Sequence, residues 1–388
     1  MPAAAHRIAL IFGSRSVEHG VSVVTARGVW EALRAAGYEV LPVYITQEGA
    51  WLLGRDFPDT RPFGVELFTD VSRYERAFAA QASEVTLLPR PNAAGPRLVA
   101  PPGAARGGEF PFDVAFPATH GTFGEDGTLQ GLFELANVPY TGSDVAASAA
   151  GMDKTLMKRV FASAGFRQVR LLTLTRAEWQ DDQTGVLERI AAQLSYPLFV
   201  KPNGLGSSKG VNPAPDEDQL FLALDVACDV DDRIIVEEAV PEPTEINVAV
   251  LGWRDDVRAS LCEQPKGGEW QDYDRKYKQG GSKLLGSTAG AGRKVPAEIP
   301  DALAAELQEQ AKRAFTVLGC AGAARVDFLL ARGEEIVLNE INTIPGALSL
   351  ELWRLSGMNP DVVVTRLVEI ALARHDERSK SNRHMSAI

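Results

Sequence analysis

Apolar and polar residues alternate in two distinct periods along the chain. Residues 7–46, RIALIFGSRSVEHGVSVVTARGVWEALRAAGYEVLPVYIT, pass from a continuous apolar run through a Gly-Ser loop and an amphipathic stretch ending near Gly37 to a second apolar run. This is the pattern of a strand-helix-strand unit, and so of a parallel sheet. Residues 55–112 are weakly periodic and rich in Pro, Gly and Arg, which reads as an elaboration on that α/β unit. FDVAFPATHG (112–121) resumes as a strand, and TLQGLFELANVPYTG (128–142) reads as a short helix and a turn. DVAASAAGMDKTLMKRVFASAGF (144–166) reads as one helix ending at Gly165, followed by the strands YPLFVKP (196–202) and RIIVEEAV (233–240). The prolines of PEPTE (241–245) stop that strand and carry the chain to a third region, EINVAVLG (245–252), then a helix at 299–320. The expected division is an N-terminal α/β domain over 1–144, a central lobe over 145–240, a C-terminal lobe over 241–375 and a flexible tail over 376–388.

The last apolar pair, RVDFLLARGEEIVLNEINTIPG (325–346), predicts an antiparallel hairpin. With Arg332 and Gly333 as the turn centre, residue 325 lies opposite 340 and 327 opposite 338. Strand alternation then puts Arg325, Asp327, Glu340 and Asn342 on one face with Leu329, Ile336 and Leu338, and Val326, Phe328, Leu330 and Val337 on the other. Two carboxylates and an amide oxygen are hard ligands suited to Mg²⁺ completed by phosphate oxygens. A solvated, salt-bridged face is the plainer alternative.

Composition narrows the partners. The 388 residues are 45% hydrophobic and 23% charged, with a net charge of -11 from scattered Lys and Arg, which argues against nucleic acid or anionic membrane and for a small substrate. Cys228, Cys262 and Cys320 are odd in number and widely spaced, so neither a disulfide framework nor a zinc site is expected. The N-terminal apolar run is too short for a secretory leader, and the expected location is the cytoplasm.

Four further stretches carry candidate chemistry. KPNGLGSSKG (201–210) sets three glycines, Ser207, Ser208, Lys201 and Lys209 after a strand, a composition that can wrap a phosphate, although such turns are commonly only turns. It matches neither the Walker spacing nor the dinucleotide fingerprint. Glu237, Glu238 and Glu245 flank the passage between two lobes, as cleft residues or as a charged linker. His120 and Glu125 lie on a loop after a strand, and Lys276 and Tyr277 in DYDRKY precede the Gly-rich stretch 279–294.

Taken in order, FGSRSVEHGVS, THGTFGEDGTLQG, VPYTGS, MDK, KPNGLGSSKG, DYDRKY, RVDF and NEINTIPG closely resemble the D-alanine:D-alanine ligases of the ATP-grasp superfamily, over roughly residues 7–370. The resemblance implies an ATP-grasp fold behind the N-terminal parallel-sheet domain, ATP as substrate, two Mg²⁺ ions with Mn²⁺ as a substitute, amino-acid substrates and a homodimer. It gives Lys154, Lys201 and Lys276 to the ATP phosphates under a loop bearing Ser207 and Ser208, Glu237 and the segment after it, including Glu238, to adenine, and Glu245 to ribose. Asp327, Glu340 and Asn342 become the metal ligands. Glu18 takes the first substrate's ammonium beside His120, Arg325 and the Gly346 N–H stabilise the developing oxyanion, and Ser207, Tyr277 and Glu18 link the closing loops.

The chain departs from that family pattern after Gly346, where ALSLELW is short and simple counting puts Glu351 in the place of a serine that contacts the second substrate's carboxylate; Ser349 is the other candidate. An acid there would repel that carboxylate. The 279–294 stretch is also longer than usual, and Lys209 replaces a small apolar residue. The expected activity is ATP-dependent joining of two D-alanines through an acyl phosphate for peptidoglycan precursors. The alternatives are a carboxylate ligase with another amine or hydroxy acceptor, an oxidoreductase and an inactive nucleotide-binding regulator.

Overall fold

The structure, a computed structural model, describes residues 6–64, 66–103, 107–206, 210–265 and 292–380. Strand β1 (Arg7–Gly13), helix α1 (His19–Ala35) and strand β2 (Glu39–Ile45) form the expected unit, with β1 and β2 parallel. The weakly periodic stretch adds antiparallel strands outside β2: β3 (Trp51–Gly54), then, after helices α2 (Glu66–Thr69) and α3 (Ser72–Ala79), β4 (Ala82–Leu87), β5 (Arg97–Val99) and β6 (Glu109–Pro111). Strand β7 (Val114–Pro117) returns beside β1 in parallel, completing seven strands in the order β6-β5-β4-β3-β2-β1-β7. Helix α4 (Thr128–Leu135) follows.

The single helix expected at 144–166 is two, α5 (Val145–Met152) and α6 (Lys154–Ser163). Asp153 takes extended ψ (100°) and its side chain accepts from the Leu156 N–H, so an N-cap in the middle of an apolar pattern starts a fresh helix. Lys154 thereby becomes a first-turn residue. The central sheet has β8 (Leu171–Thr175), β9 (Leu198–Pro202), β10 (Asn212–Ala214) and β11 (Arg233–Glu238) in the order β10-β9-β11-β8, covered by helices α7 (Arg176–Asp181), α8 (Gln183–Gln193) and α9 (Glu217–Val230). The last sheet contains β12 (Thr244–Trp253) and β13 (Asp256–Ala259). A small pair, β14 (Gln264–Pro265) with β15 (Arg293–Lys294), and helix α10 (Asp301–Val317) precede its remaining strands, β16 (Gly322–Ala331) and β17 (Glu335–Asn342). Its order is β13-β12-β16-β17. Helices α11 (Leu350–Leu355) and α12 (Pro360–Lys380) end the described chain.

The cores cut across chain order. Met157 and Phe161 of α6 pack with Ile246, Val248, Val326 and Phe328 of the last sheet, whereas Trp353, Val364 and Leu367 of α11 and α12 pack with Ile8, Leu10 and Val29 of the first lobe. Helix α12 also runs to Lys380, five residues into the stretch expected to be a tail, because Arg378 pairs with Glu134 and His375 bonds to Asn137. Cys228, Cys262 and Cys320 are buried and free. Among the described residues no helix is long and apolar enough to cross a membrane.

The end of β1 sets the loop that carries Glu18. Gly13 has φ 90°, its N–H donates to Ser22 Oγ, and a Cβ there would meet the Ile45 carbonyl oxygen at 2.1 Å. Gly13→Ala is expected to destabilise the protein by about 2 kcal/mol or more, read as a lowered urea midpoint.

Candidate functional site

The hairpin supplies the site through a different register from the one its sequence predicts. Its turn spans three residues, 332–334, with Arg332 and Gly333 both at positive φ and Ala331 opposite Glu335. That one-residue change reverses the faces near the turn: Leu338 lies opposite Phe328 and Ile336 opposite Leu330 in the core, while Val337 lies opposite Leu329 on the site face. A bulge at Asn339 then shifts the register again, so Asp327 lies opposite Glu340 and Arg325 opposite Asn342. The two shifts cancel in parity, and the four polar residues share one face as expected. Without the bulge Glu340 would face Val326 and the core.

Asp327 is buried and held by both Arg325 Nε and Nη2 at 2.6 Å and by Asn342 Nδ2 at 3.1 Å. Asn247 on β12, opposite Asp327, joins the same row; with its amide nitrogen turned to the carboxylates it reaches Asp327 Oδ1 at 3.1 Å and Glu245 Oε1 at 3.2 Å. Burial would raise the Glu340 carboxyl, but Lys154, Lys201, Arg325 and Lys158 surround it and hold it below the usual carboxylate range.

Glu237 is buried between two ammonium groups, Lys201 Nζ at 2.6 Å and Lys158 Nζ at 3.0 Å. Burial alone would raise its carboxyl; the two lysines outweigh it and bring it to about 2. Its neighbour Glu238 projects from the opposite face of β11, where it accepts from the Ser195 N–H at 2.8 Å and pairs with Arg170. The Glu238 carboxylate therefore faces away from the cluster. Lys154 donates to the Leu205 carbonyl, and Asn203 Oδ1 accepts from the Thr155 N–H and hydroxyl, which fixes the start of α6 against the end of β9.

The first lobe contributes from across the cleft. Glu18, at the start of α1, is buried, and a Cβ on either Gly121 or Gly206 would fall within 3 Å of its Oε2, so the loop after β9 closes directly over it. His19 Nδ1 lies 2.7 Å from the Ser14 carbonyl and Nε2 2.6 Å from the Tyr44 hydroxyl, fixing the turn before Glu18, and burial pushes the His19 pKa down. Thr25 bridges the lobes: its Oγ1 accepts from the Ala347 N–H at 2.9 Å and lies 2.8 Å from His120 Nε2. The other ring nitrogen, Nδ1, lies 3.8 Å from Glu125 Oε1.

Residues Gly346–Ser349 form a 3₁₀ turn in which Ala347, Leu348 and Ser349 all have φ near 50°, a region that non-glycine residues seldom occupy. Glu351 lies in the first turn of α11 and is paired through both oxygens with Arg354, at 2.7 and 2.8 Å, which holds it below its ordinary pKa. Arg354 therefore offsets the Glu351 charge. Ser207, Ser208, Lys209, Lys276 and Tyr277 lie outside the described residues.

A family profile described as D-ala D-ala ligase N-terminus matches residues 7–143, and one described as D-ala D-ala ligase C-terminus matches residues 160–369. The chain belongs to the D-alanine–D-alanine ligase family. It is 36% identical over 380 residues to a D-alanine–D-alanine ligase of Bacillus cytotoxicus, covering 96% of this chain and 98% of that one. Among solved structures of the family it is similar to the D-alanine-D-alanine ligase from Coxiella burnetii (TM-score 0.76, 30% identity, 97% of both chains). It is equally similar in TM-score, 0.76, to the VanG D-Ala:D-Ser ligase from Enterococcus faecalis, at 28% identity over 95% of this chain and 100% of that one.

Within this ligase-family chain, Lys158, Asn247 and Thr25 belong to the site although sequence reasoning missed them. Asn247 alternates with Glu245 at a strand's period of two and was open to detection; Lys158 on an amphipathic helix and Thr25 within an apolar run give no such signal. The donor set fits a hard divalent ion. A buried carboxylate, a half-buried one and an amide suit Mg²⁺, which keeps water and phosphate oxygens as its other ligands, and among the described residues no group of three or more His, Cys, Asp or Glu forms a self-sufficient cage.

Two outcomes are expected. Thr25→Val should lower kcat on the order of 10-fold or more by releasing His120 and the 346–349 turn, while Thr25→Ser stays near wild type in steady-state assays. Because the Glu237 carboxyl is depressed to about 2 from an ordinary 4.5, its ion pairs stabilise the fold above pH 4.5 and are lost as pH falls toward 2. Glu237→Gln should therefore flatten that part of the acid limb in urea midpoints measured against pH.

Proposed function

We propose that the chain activates one D-alanine with ATP and joins it to a second, yielding D-alanyl-D-alanine for peptidoglycan precursors. The observation that carries this reading is that Lys154, Lys201, Arg325 and Lys158 all act on the half-buried Glu340 carboxylate, which lies opposite Asp327 on one sheet face with Asn342. Cations and hard oxygen donors on one enclosed face suit a transferring phosphoryl group.

A carboxylate is a poor electrophile, so the γ-phosphoryl group first moves to a carboxylate oxygen of the first D-alanine, releasing ADP. The amine of the second D-alanine then attacks the acyl phosphate carbon, and phosphate leaves as the amide forms. Glu18 orients the first substrate through its ammonium group, with His120 alongside. Lys154 and Lys201, with Lys276, hold the ATP phosphates; Glu237 and the segment beginning at Glu238 take adenine, and Glu245 the ribose. Arg325 and the Gly346 N–H meet the negative charge that develops at the tetrahedral carbon. Asp327, Glu340 and Asn342 would hold Mg²⁺, or Mn²⁺ in its place, whose positive charge would offset that of the phosphates. The loops bearing Ser207, Ser208 and Tyr277 exclude water from the acyl phosphate, with Glu18 as their contact in the first lobe. Ser349 is the side chain of the 346–349 turn assigned to the second substrate; Glu351, neutralised by Arg354, borders it. A cytoplasmic homodimer completes the proposal.

The test is phosphate release from MgATP on adding D-alanine, repeated with D-serine, D-lactate and other acceptors. D-Alanyl-D-alanine is the expected principal product, and absence of D-alanine-dependent phosphate release would overturn the reading. Glu340→Ala should remove most turnover, and Arg325→Met should cost on the order of 10²-fold in kcat.

A further inference from the structure

Lys158 is one of the cations acting on Glu340, but the proposed chemistry gives it no part of either substrate to hold. It lies on α6, with its side chain 3% exposed, and its ammonium meets two groups from different lobes. One is Glu237 Oε1 at 3.0 Å; the other is the carbonyl oxygen of Asn339, to which it donates at 3.1 Å. A fully buried ammonium is costly unless both paired and hydrogen-bonded, and burial pushes this one below its ordinary pKa while Glu237 pulls it up.

Asn339 is no ordinary strand residue. It is the extra residue of the β17 bulge, with no register partner on β16, and its insertion returns Glu340 and Asn342 to the face of Asp327. Its carbonyl is the one Lys158 donates to, and as a backbone acceptor it requires a donor. The neighbouring outer edge of β17 is satisfied in the same way by α6 and the segment after it: Leu338 N–H donates to the Arg167 carbonyl, Gln168 Nε2 donates to the Leu338 carbonyl, and Ile341 N–H meets Met157 Sδ. Lys158 alone among these contacts is also tied to a carboxylate of the central sheet.

We propose that Lys158 is a positioning residue that locks the Asn339 bulge, and so holds Glu340 in place for a divalent ion, through the same ammonium that neutralises Glu237. The inference rests on the reading of Asp327, Glu340 and Asn342 as metal ligands. It joins the nucleotide side of the central lobe to the metal side of the last lobe by one side chain. A lysine serving only as counter-charge to Glu237 would become dispensable once that charge is removed; one that also holds the bulge would not.

That difference is the test. The full-length wild type, Glu237→Gln, Lys158→Met and the double variant Glu237→Gln/Lys158→Met are titrated with Mn²⁺, free Mn²⁺ being read by electron paramagnetic resonance. A nonhydrolysable ATP analogue is present at concentrations that fill each protein. The double variant removes matched charges, so it keeps the test open if Lys158→Met alone does not fold. With the analogue bound, Glu237→Gln sets the reference affinity for a site without the Glu237 charge, and the double variant should bind Mn²⁺ about 10-fold or more weakly than Glu237→Gln. Equal Mn²⁺ affinity in Glu237→Gln and the double variant would overturn the role of Lys158. Failure of the wild type with its analogue to take up Mn²⁺ would instead overturn the metal reading, and this inference with it.

Discussion

Everything at the centre of this protein depends on setting two carboxylates, Asp327 and Glu340, opposite each other on a sheet face largely closed to water. Buried charge is tolerated only when paired, and here it is paired generously: Arg325 holds Asp327 through two bonds, and four cations surround Glu340. The cations come from α6, β9 and β16, so the balance exists only when the central and last lobes are assembled together. An anionic ligand brought to this face meets positive charge that is already oriented, with little reorganisation left to make.

The first lobe joins that assembly by fewer but well-placed contacts. Thr25 accepts from the backbone of the turn after β17 and adjoins His120, while Glu18 lies against the loop leaving β9. These are short-range contacts to backbone or to glycine, which tolerate no displacement without loss. The left-handed turn at Ala347 to Ser349 is the conformational cost of delivering the Ala347 N–H to Thr25 in so short a segment.

Much of the fold was legible because strand and helix periods are strong where one face is buried: the βαβ unit, the central strands, α10 and the final hairpin all appear where the apolar pattern puts them. What escaped was punctuation. An aspartate inside an Ala-rich run restarted a helix, and a three-residue turn followed by a bulge altered the hairpin register twice. The polar cluster on the hairpin survived because two one-residue shifts restore parity, whereas Val337, Leu338 and Ile336 were each placed on the wrong face. At the site, single residues with unusual composition for their element were readable, Asp327 and Glu340 foremost. Lys158 and Thr25 were not, since their roles come from contacts 181 and 322 positions away in sequence.

The sharing of cores out of chain order has a practical corollary for chimeras. Helix α12 packs on β1 and α1, and α6 on the last sheet, so neither terminal region owns all the apolar surface it covers. A hybrid spliced at 144 would marry the first lobe of one parent to the C-terminal helix of another and leave mismatched side chains along that seam. Exchanges between relatives would have to carry residues 350–380 along with the N-terminal segment, which makes the two ends of the polypeptide a single heritable unit.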